Sequence, residues 1–255
     1  MQIATKGNKK LEETVSRAMK DSELSTLWKA SNVMAIDRMG YNDHGPTHVK
    51  IVASTALKMQ RILVERGKVP SLVKDHSMTN EDAEVVVVLG SLLHDIGHVV
   101  HRESHELFAV PLAVPVIDRL LQGIYDKNAA VIMRGEILHC IFSHTSGIIP
   151  HTLEAGIVKV ADALDMEKGR ARIPFQTGSV NIHSVSAMAI DKVQVRSGTD
   201  DPIEIEITMN NSAGIYQIDN LLRMRIDESQ LENDIKVIVQ MQGSEKKIIQ
   251  NRIEM

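Results

Sequence analysis

Residues 85–93 read Val-Val-Val-Val-Leu-Gly-Ser-Leu-Leu and run directly into His94-Asp95. Nine residues are far too few to span a bilayer, which takes about 20. Their apolar character also leaves no polar face for solvent, so a helix made of them is buried on most sides. Other elements must therefore wrap around this segment. Its start is legible too: Thr79 or Asn80 caps it, and Glu81, Asp82 and Glu84 suit the positive end of a helix dipole.

The 255 residues suffice for one large domain, or for one of about 150–180 residues with a small companion. Helical rhythm recurs over 11–20, from Ser22 or Ser25 towards Arg38, over 48–65, 103–123, 128–142 and 153–165. Thr47 reads as an N-cap after the loop 40–46, while Pro111 and Pro115 are expected to bend or break their helix near its start. After Pro174 the period changes. Residues 185–196, 203–209 and 234–241 read as strands, 198–202 as a turn and 214–226 as an amphipathic helix. The expected fold is mainly α: a helical domain over 1–178, then a small α/β (β-β-α-β) domain over 179–255, with the boundary near 174–182.

Aromatic residues make up 3% of the chain and the net charge is -4, which argues against stacking on single-stranded nucleic acid and against a polyanionic partner. The single cysteine, Cys140, allows no internal disulfide, and the polar N-terminus does not resemble a secretory signal; both fit a cytoplasmic location.

Ten of the eleven histidines fall between His44 and His151, leaving only His183 outside. Imidazoles and carboxylates together suit divalent transition metals. On a continuous helix His94, His98, His101 and His105 would share a stripe about 60° wide, and Gly97 would permit close backbone approach or a local distortion. Asp162 lies in an apolar helical stretch, where a carboxylate is costly unless paired or metal-bound; Lys159 and Arg102 are its alternative partners. His139 and His144 would sit about 140° apart on a straight helix, so one of them at most serves a given ion.

His48, then His94-Asp95, then Asp162 resemble the motif of the HD superfamily of metal-dependent phosphohydrolases, over roughly residues 40–170. The resemblance implies an all-helical HD-type domain in which His48, His94, Asp95 and Asp162 hold a divalent ion. Some branches hold a second ion through further histidines. His105 and His144 fit that role, with Asp95 bridging, and His144-Thr145-Ser146-Gly147 is similar to a segment of the diadenosine tetraphosphate hydrolases. Adjacent histidines and a Gly-Tyr-Pro signature found in other branches are absent. One or two ions are implied, with Mn, Fe, Ni, Co, Zn and Mg all open. Catalytic expectations fall on Asp95, with His98 or His101 as general acid or outer donor. Lys168, Arg170 and Arg172 are expected to bind substrate phosphate, and Asp165 to pair with Lys168 or Arg170 or to support a ligand. The implied function is hydrolysis of a phosphoester in a nucleotide or other small substrate by a metal-activated water, in a homodimer. The alternative is a metal-binding regulatory or sensor protein whose C-terminal domain dimerises or reads a ligand.

Overall fold

A computed structural model describes residues 3–170, 182–242 and 252–254. Its centre is α5 (Asn80–Leu93), whose residues 85–93 are all buried. Around it pack α1 (Lys9–Lys20), α3 (Pro46–Glu65), α7 (Lys127–Ser143) and α8 (Leu153–Ala163). Each fully buried aliphatic side chain contributes roughly 1.5–3 kcal/mol, so the enclosed run dominates the core. Gly90 makes one crossing possible, because a Cβ there would lie 2.7 Å from Cys140 Cβ on α7. The remaining helices of this part are α2 (Ser22–Asn32), continued by a π turn over Val33–Arg38, α4 (Ser71–His76) and α6 (His105–Leu121).

The helix starts follow local chemistry. Thr79 and Asp82 form a reciprocal capping box at α5. At α3 the cap is Gly45 and Pro46 takes the first turn, so Thr47 is a helical residue rather than the expected cap; proline fits where no N–H is needed. Of the bend or break expected at Pro111 and Pro115, the break does not occur: α6 runs unbroken through both. Both prolines are exposed, so the carbonyls they leave unpaired face water.

The C-terminal layer holds α9 (Ile182–Met188), β1 (Ile190–Ser197), β2 (Ile203–Met209), a helical stretch over 212–228, β3 (Ile235–Met241) and β4 (Arg252–Glu254). The sheet order is β1-β2-β3-β4, with β2 and β3 parallel and the outer pairs antiparallel. The stretch 212–228 is the crossover that a parallel pair requires. Ile203, Ile205, Ile207 and Met209 alternate inward. Residues 185–188, expected as strand, are helical: the turn brings Ser186 inward, where its hydroxyl accepts from Gln217 Nε2 at 2.8 Å. The layer meets the helical part through β1 and β2 on α3, and through 212–228 on α8. The expected boundary falls largely on 171–181, outside the described residues. None of the described helices is long and apolar enough to cross a membrane.

Candidate metal centre

The cluster forms where α5 stops. Trp28 Nε1 donates to Leu92 O (2.7 Å) and His94 Nδ1 to Ser91 O (2.7 Å), satisfying carbonyls that the helix end leaves free. The chain then turns through a short 3-10 segment (Ile96–Val99) and restarts as α6 at His105. There is thus no continuous histidine stripe. Gly97 explains the sharp turn, since a Cβ would lie 1.9 Å from His105 O and 2.6 Å from Ala109 N.

Asp95 sits between two groups of side chains. Its Oδ2 lies 3.3 Å from His48 Nε2 and 3.2 Å from His94 Nε2. Asp162 Oδ1 closes that side, 3.2 Å from His48 Nε2 and 3.6 Å from His94 Nε2. Asp95 Oδ1 faces the other way, 3.3 Å from His98 Nε2, 3.4 Å from His105 Nε2 and 3.7 Å from His144 Nε2. These seven histidine and aspartate side chains come from the start of α3, the α5–α6 connection and its two ends, the end of α7, and α8.

The ring tautomers follow from the outer partners. Carbonyl oxygens only accept, so Nδ1 of His94, His105 and His144 must donate to Ser91 O, Arg102 O and Ile141 O. His48 Nδ1 donates to Asp165 Oδ2 at 2.7 Å. In the neutral rings every Nε2 then presents a lone pair inward. Those lone pairs confront each other at 3.2 Å (His48 and His94) and 2.9 Å (His105 and His144). Such contacts are repulsive unless a cation or a proton lies between them. His98 adds two buried ring nitrogens without a hydrogen-bond partner among the described residues. Inward lone pairs, two carboxylates and an orphaned imidazole form a donor set that fits divalent metal, with outer hydrogen bonds fixing each ring. Three donor groups lie close enough to share an ion: His48/His94/Asp162, His94/Asp95/His144 and His44/Asp95/His98.

The electrostatics agree. Burial opposes the charged form of Asp95, yet His94, His44 and His98 hold its carboxyl well below the usual range. Asp162 is likewise held low against burial by His48 and His94. Burial works against the His94 imidazolium, but Asp95 and Asp162 outweigh it and hold the ring up to about 9. His144 is pushed well below its ordinary value by burial and by His94 and His105. Protons thus take up part of the positive charge that the two carboxylates demand.

His48, His94, Asp95, His98, His105, His144 and Asp162 come together here. His101 does not: it is exposed, and its Nδ1 accepts from Glu103 N. His139 also lies away, bonded to Ser143 Oγ and His151 N. Lys168 points to the surface and pairs with Asp191 at 2.9 Å, against the expectation of a phosphate contact at the site. Arg170 reaches the cluster, its Nη2 3.3 Å from His48 Nε2, with Asp43 O and Asp165 O holding the rest of the guanidinium. Arg172 lies outside the described residues. Asp162 pairs with neither alternative partner: Lys159 bonds Glu228 (2.7 Å) and Arg102 stacks on Tyr41 (4.1 Å).

Sequence reasoning missed His44 and Arg225. His44 Nδ1 is 2.7 Å from Asp95 Oδ2, in a loop pinned by Asn32 Oδ1 on His44 N. Its signal was its place four residues before His48, between breakers. Arg225 lines the adjoining pocket with Tyr41, Asn42, Arg102, Asp162 and Arg170; its sequence setting is that of an ordinary helix surface.

Residues 47–167 match the HD domain family. The chain is similar to an uncharacterised protein of Methanocaldococcus jannaschii, 44% identical over 224 residues that cover 88% of this chain and 86% of that one. It is also similar to ribonuclease Y of Opitutus terrae, 26% identical over 244 residues. That alignment covers 90% of this chain but 43% of the ribonuclease, so this chain spans less than half of its length. No solved structure matches.

Proposed function

This chain belongs to the HD superfamily of metal-dependent phosphohydrolases, and from that membership we propose that it hydrolyses a phosphoester bond in a nucleotide or another small phosphorylated substrate. The observation that carries this reading is the division of Asp95, one carboxylate oxygen towards His48 and His94 and the other towards His98, His105 and His144. In the proposal His48, His94, Asp95 and Asp162 hold one ion, and His105 and His144, sharing Asp95, hold a second. Divalent cations there supply charge neutralisation at phosphoryl oxygens and a lowered pKa for a water. The imidazole-rich set favours Mn, Fe, Co, Ni or Zn over Mg.

The chain's own residues prepare that chemistry. His44 orients Asp95 through the 2.7 Å contact, and Asp165 orients His48 through Nδ1. His98, stacked on His105 at 4.1 Å, fits a further donor better than a general acid, since both of its nitrogens are buried and Nε2 lies 3.3 Å from Asp95 Oδ1. Arg170 lines the pocket beside the cluster and brings a positive charge to it, its Nε, Nη1 and Nη2 each already bonded, to Asp43 O, Asp165 O and His48 Nε2. Asp95 remains the proposed catalytic centre; His101 and Lys168 have no part in it.

The test is metal analysis of the purified full-length protein with a screen of phosphorylated compounds in Mn, Ni, Co or Mg. Metal-stimulated phosphate release that Asp95→Ala abolishes is the expected result; an Asp95→Ala protein with full metal and full activity would sink the assignment. The name of the second relative supports a second reading, phosphodiester cleavage in RNA, so the screen includes nucleoside monophosphates, dinucleotides and a short RNA. The net charge of -4 supports the small substrate. A regulatory role is favoured instead if no compound turns over but one raises the melting temperature, and the proposed homodimer is read from solution mass in the same preparation.

A further inference from the structure

Every ligand-type side chain above belongs to the helical part, but one wall of the adjoining pocket does not. Ala187, Gln217, Leu221 and Arg225 of the C-terminal layer line it together with Asp162 and Arg170 of the helical part. Arg225 is the charged member of that wall. Its Nη1 donates to the carbonyl oxygen of His144, and its Nη2 stands 3.9 Å from Asp162 Oδ2. One guanidinium thus leans on a residue from each half of the cluster. A guanidinium has five N–H donors. One is engaged by His144 O, Asp162 is too distant for a hydrogen bond, and among the described residues nothing else holds the remaining donors beside the pocket.

The chain holds Arg225 there deliberately close. Three residues on, Glu228 pairs with the fully buried Lys159 of α8 at 2.7 Å and accepts from Gly147 N at 2.9 Å. Lys159 itself donates to Thr145 O (2.6 Å) and Ile148 O (2.8 Å), tying the same loop that begins at His144. Next, the backbone at Ser229 lies so near α8 that a Cβ on Gly156 would fall 2.3 Å from Ser229 O. The turn bearing Arg225 is fixed against the ligand-bearing loop by charge, by hydrogen bond and by backbone contact.

We infer that Arg225, carried by the C-terminal layer and set against His144 and Asp162, is the residue that takes the phosphate of a small phosphate ester. The C-terminal layer then completes a site whose metal-binding half is helical. This rests on the hydrolase reading above. Arg170 lines the same pocket, so an entering phosphate meets the field of guanidinium groups from both layers beside the metal ligands.

The test uses the full-length protein loaded with Mn, with inorganic phosphate as the probe. Arg225→Gln is expected to keep the wild-type metal content and to weaken phosphate binding in calorimetry by about tenfold or more, the loss of a charge-assisted contact. With the best compound of the screen it raises KM more than it lowers kcat. Arg225→Lys falls between, keeping the charge but not the fork. Wild-type phosphate affinity in a folded Arg225→Gln protein overturns the assignment. If that variant does not fold, Arg225→Lys decides, and unchanged affinity there overturns it. Full metal content without phosphate binding in the wild type also overturns it while leaving the hydrolase reading in place. Failure of the wild type to take up metal removes both.

Discussion

Asp165 touches no candidate centre directly, yet it decides how His48 points. Its Oδ2 accepts from His48 Nδ1 at 2.7 Å, which sends Nε2 towards Asp95 and Asp162. Carboxylates in this outer position are worth about 10–100-fold in metal affinity. Asp165→Ala is therefore expected to weaken metal binding by about that factor with little change in helix content, measured by competition with a chromophoric chelator; unchanged affinity would remove His48 from the ligand set. The same cluster predicts a pH profile for the metal-free protein. His94 is raised to about 9 and His48 is raised as well, so their stabilisation is complete below the unfolded value of 6.5 and is lost as pH climbs through about 9. His44, His98 and His144 are lowered, burial being the largest cause, so they destabilise as pH falls below 6.5. Chelated protein should melt highest near pH 6.5, and metal affinity should rise towards pH 9 as proton competition fades. A melting temperature that increases steadily from pH 6.5 to 9 after chelation would contradict these assignments. At this scale the motif histidines and aspartates were legible because their spacing is unusual. His44 and Arg225 were not, because a loop histidine and a helix arginine carry no period that separates site from surface.

The helices were legible wherever propensity, capping and burial agreed. For α5 they agree throughout, from the Thr79–Asp82 box to the enclosed run before His94. Thr79→Ala leaves Asp82 its contacts with Lys10 and Tyr125 but removes the cap. It is expected to cost about 1 kcal/mol in urea unfolding, with the metal content unaltered. Gly97→Ala addresses the opposite end. Its Cβ would press on His105 O and Ala109 N, both backbone atoms, so α6 must shift and carry His105 with it. Overpacking of this kind costs about 1–3 kcal/mol, and here it should also lower the metal bound per chain; a variant with wild-type stability and metal content would show that α6 can yield freely. What the sequence hid at this scale was decided by tertiary surroundings. The prolines of α6 are tolerated because they face water, and residues 185–188 turn helical because Ser186 meets Gln217. Neither condition is written in the local pattern.

At the scale of the molecule, the helical part and the C-terminal layer were each visible as a change of period, from helical rhythm to alternation after Pro174. Their docking was not, because it depends on single residues whose meaning appears only across the interface. Gly156 carries no distinguishing pattern in the sequence, yet it is where the backbone at Ser229 comes to rest on α8. Lys159 reads as an alternative partner of Asp162, yet it is fully buried between the loop carbonyls and Glu228. A methyl group on Gly156 would strike a backbone oxygen rather than a flexible side chain, so relief requires the layer itself to move. Helix α8 would keep its own hydrogen bonds, and alanine is the better helix former. The damage of Gly156→Ala should therefore fall on the contact between layers. Hydrogen exchange is expected to show α3, α5 and α8 as protected as before, while amides of β2, β3 and 223–228 lose protection. Uniform loss across both layers would mean that they unfold as one unit, and unchanged protection everywhere would mean that the approach at Ser229 is not what holds them together.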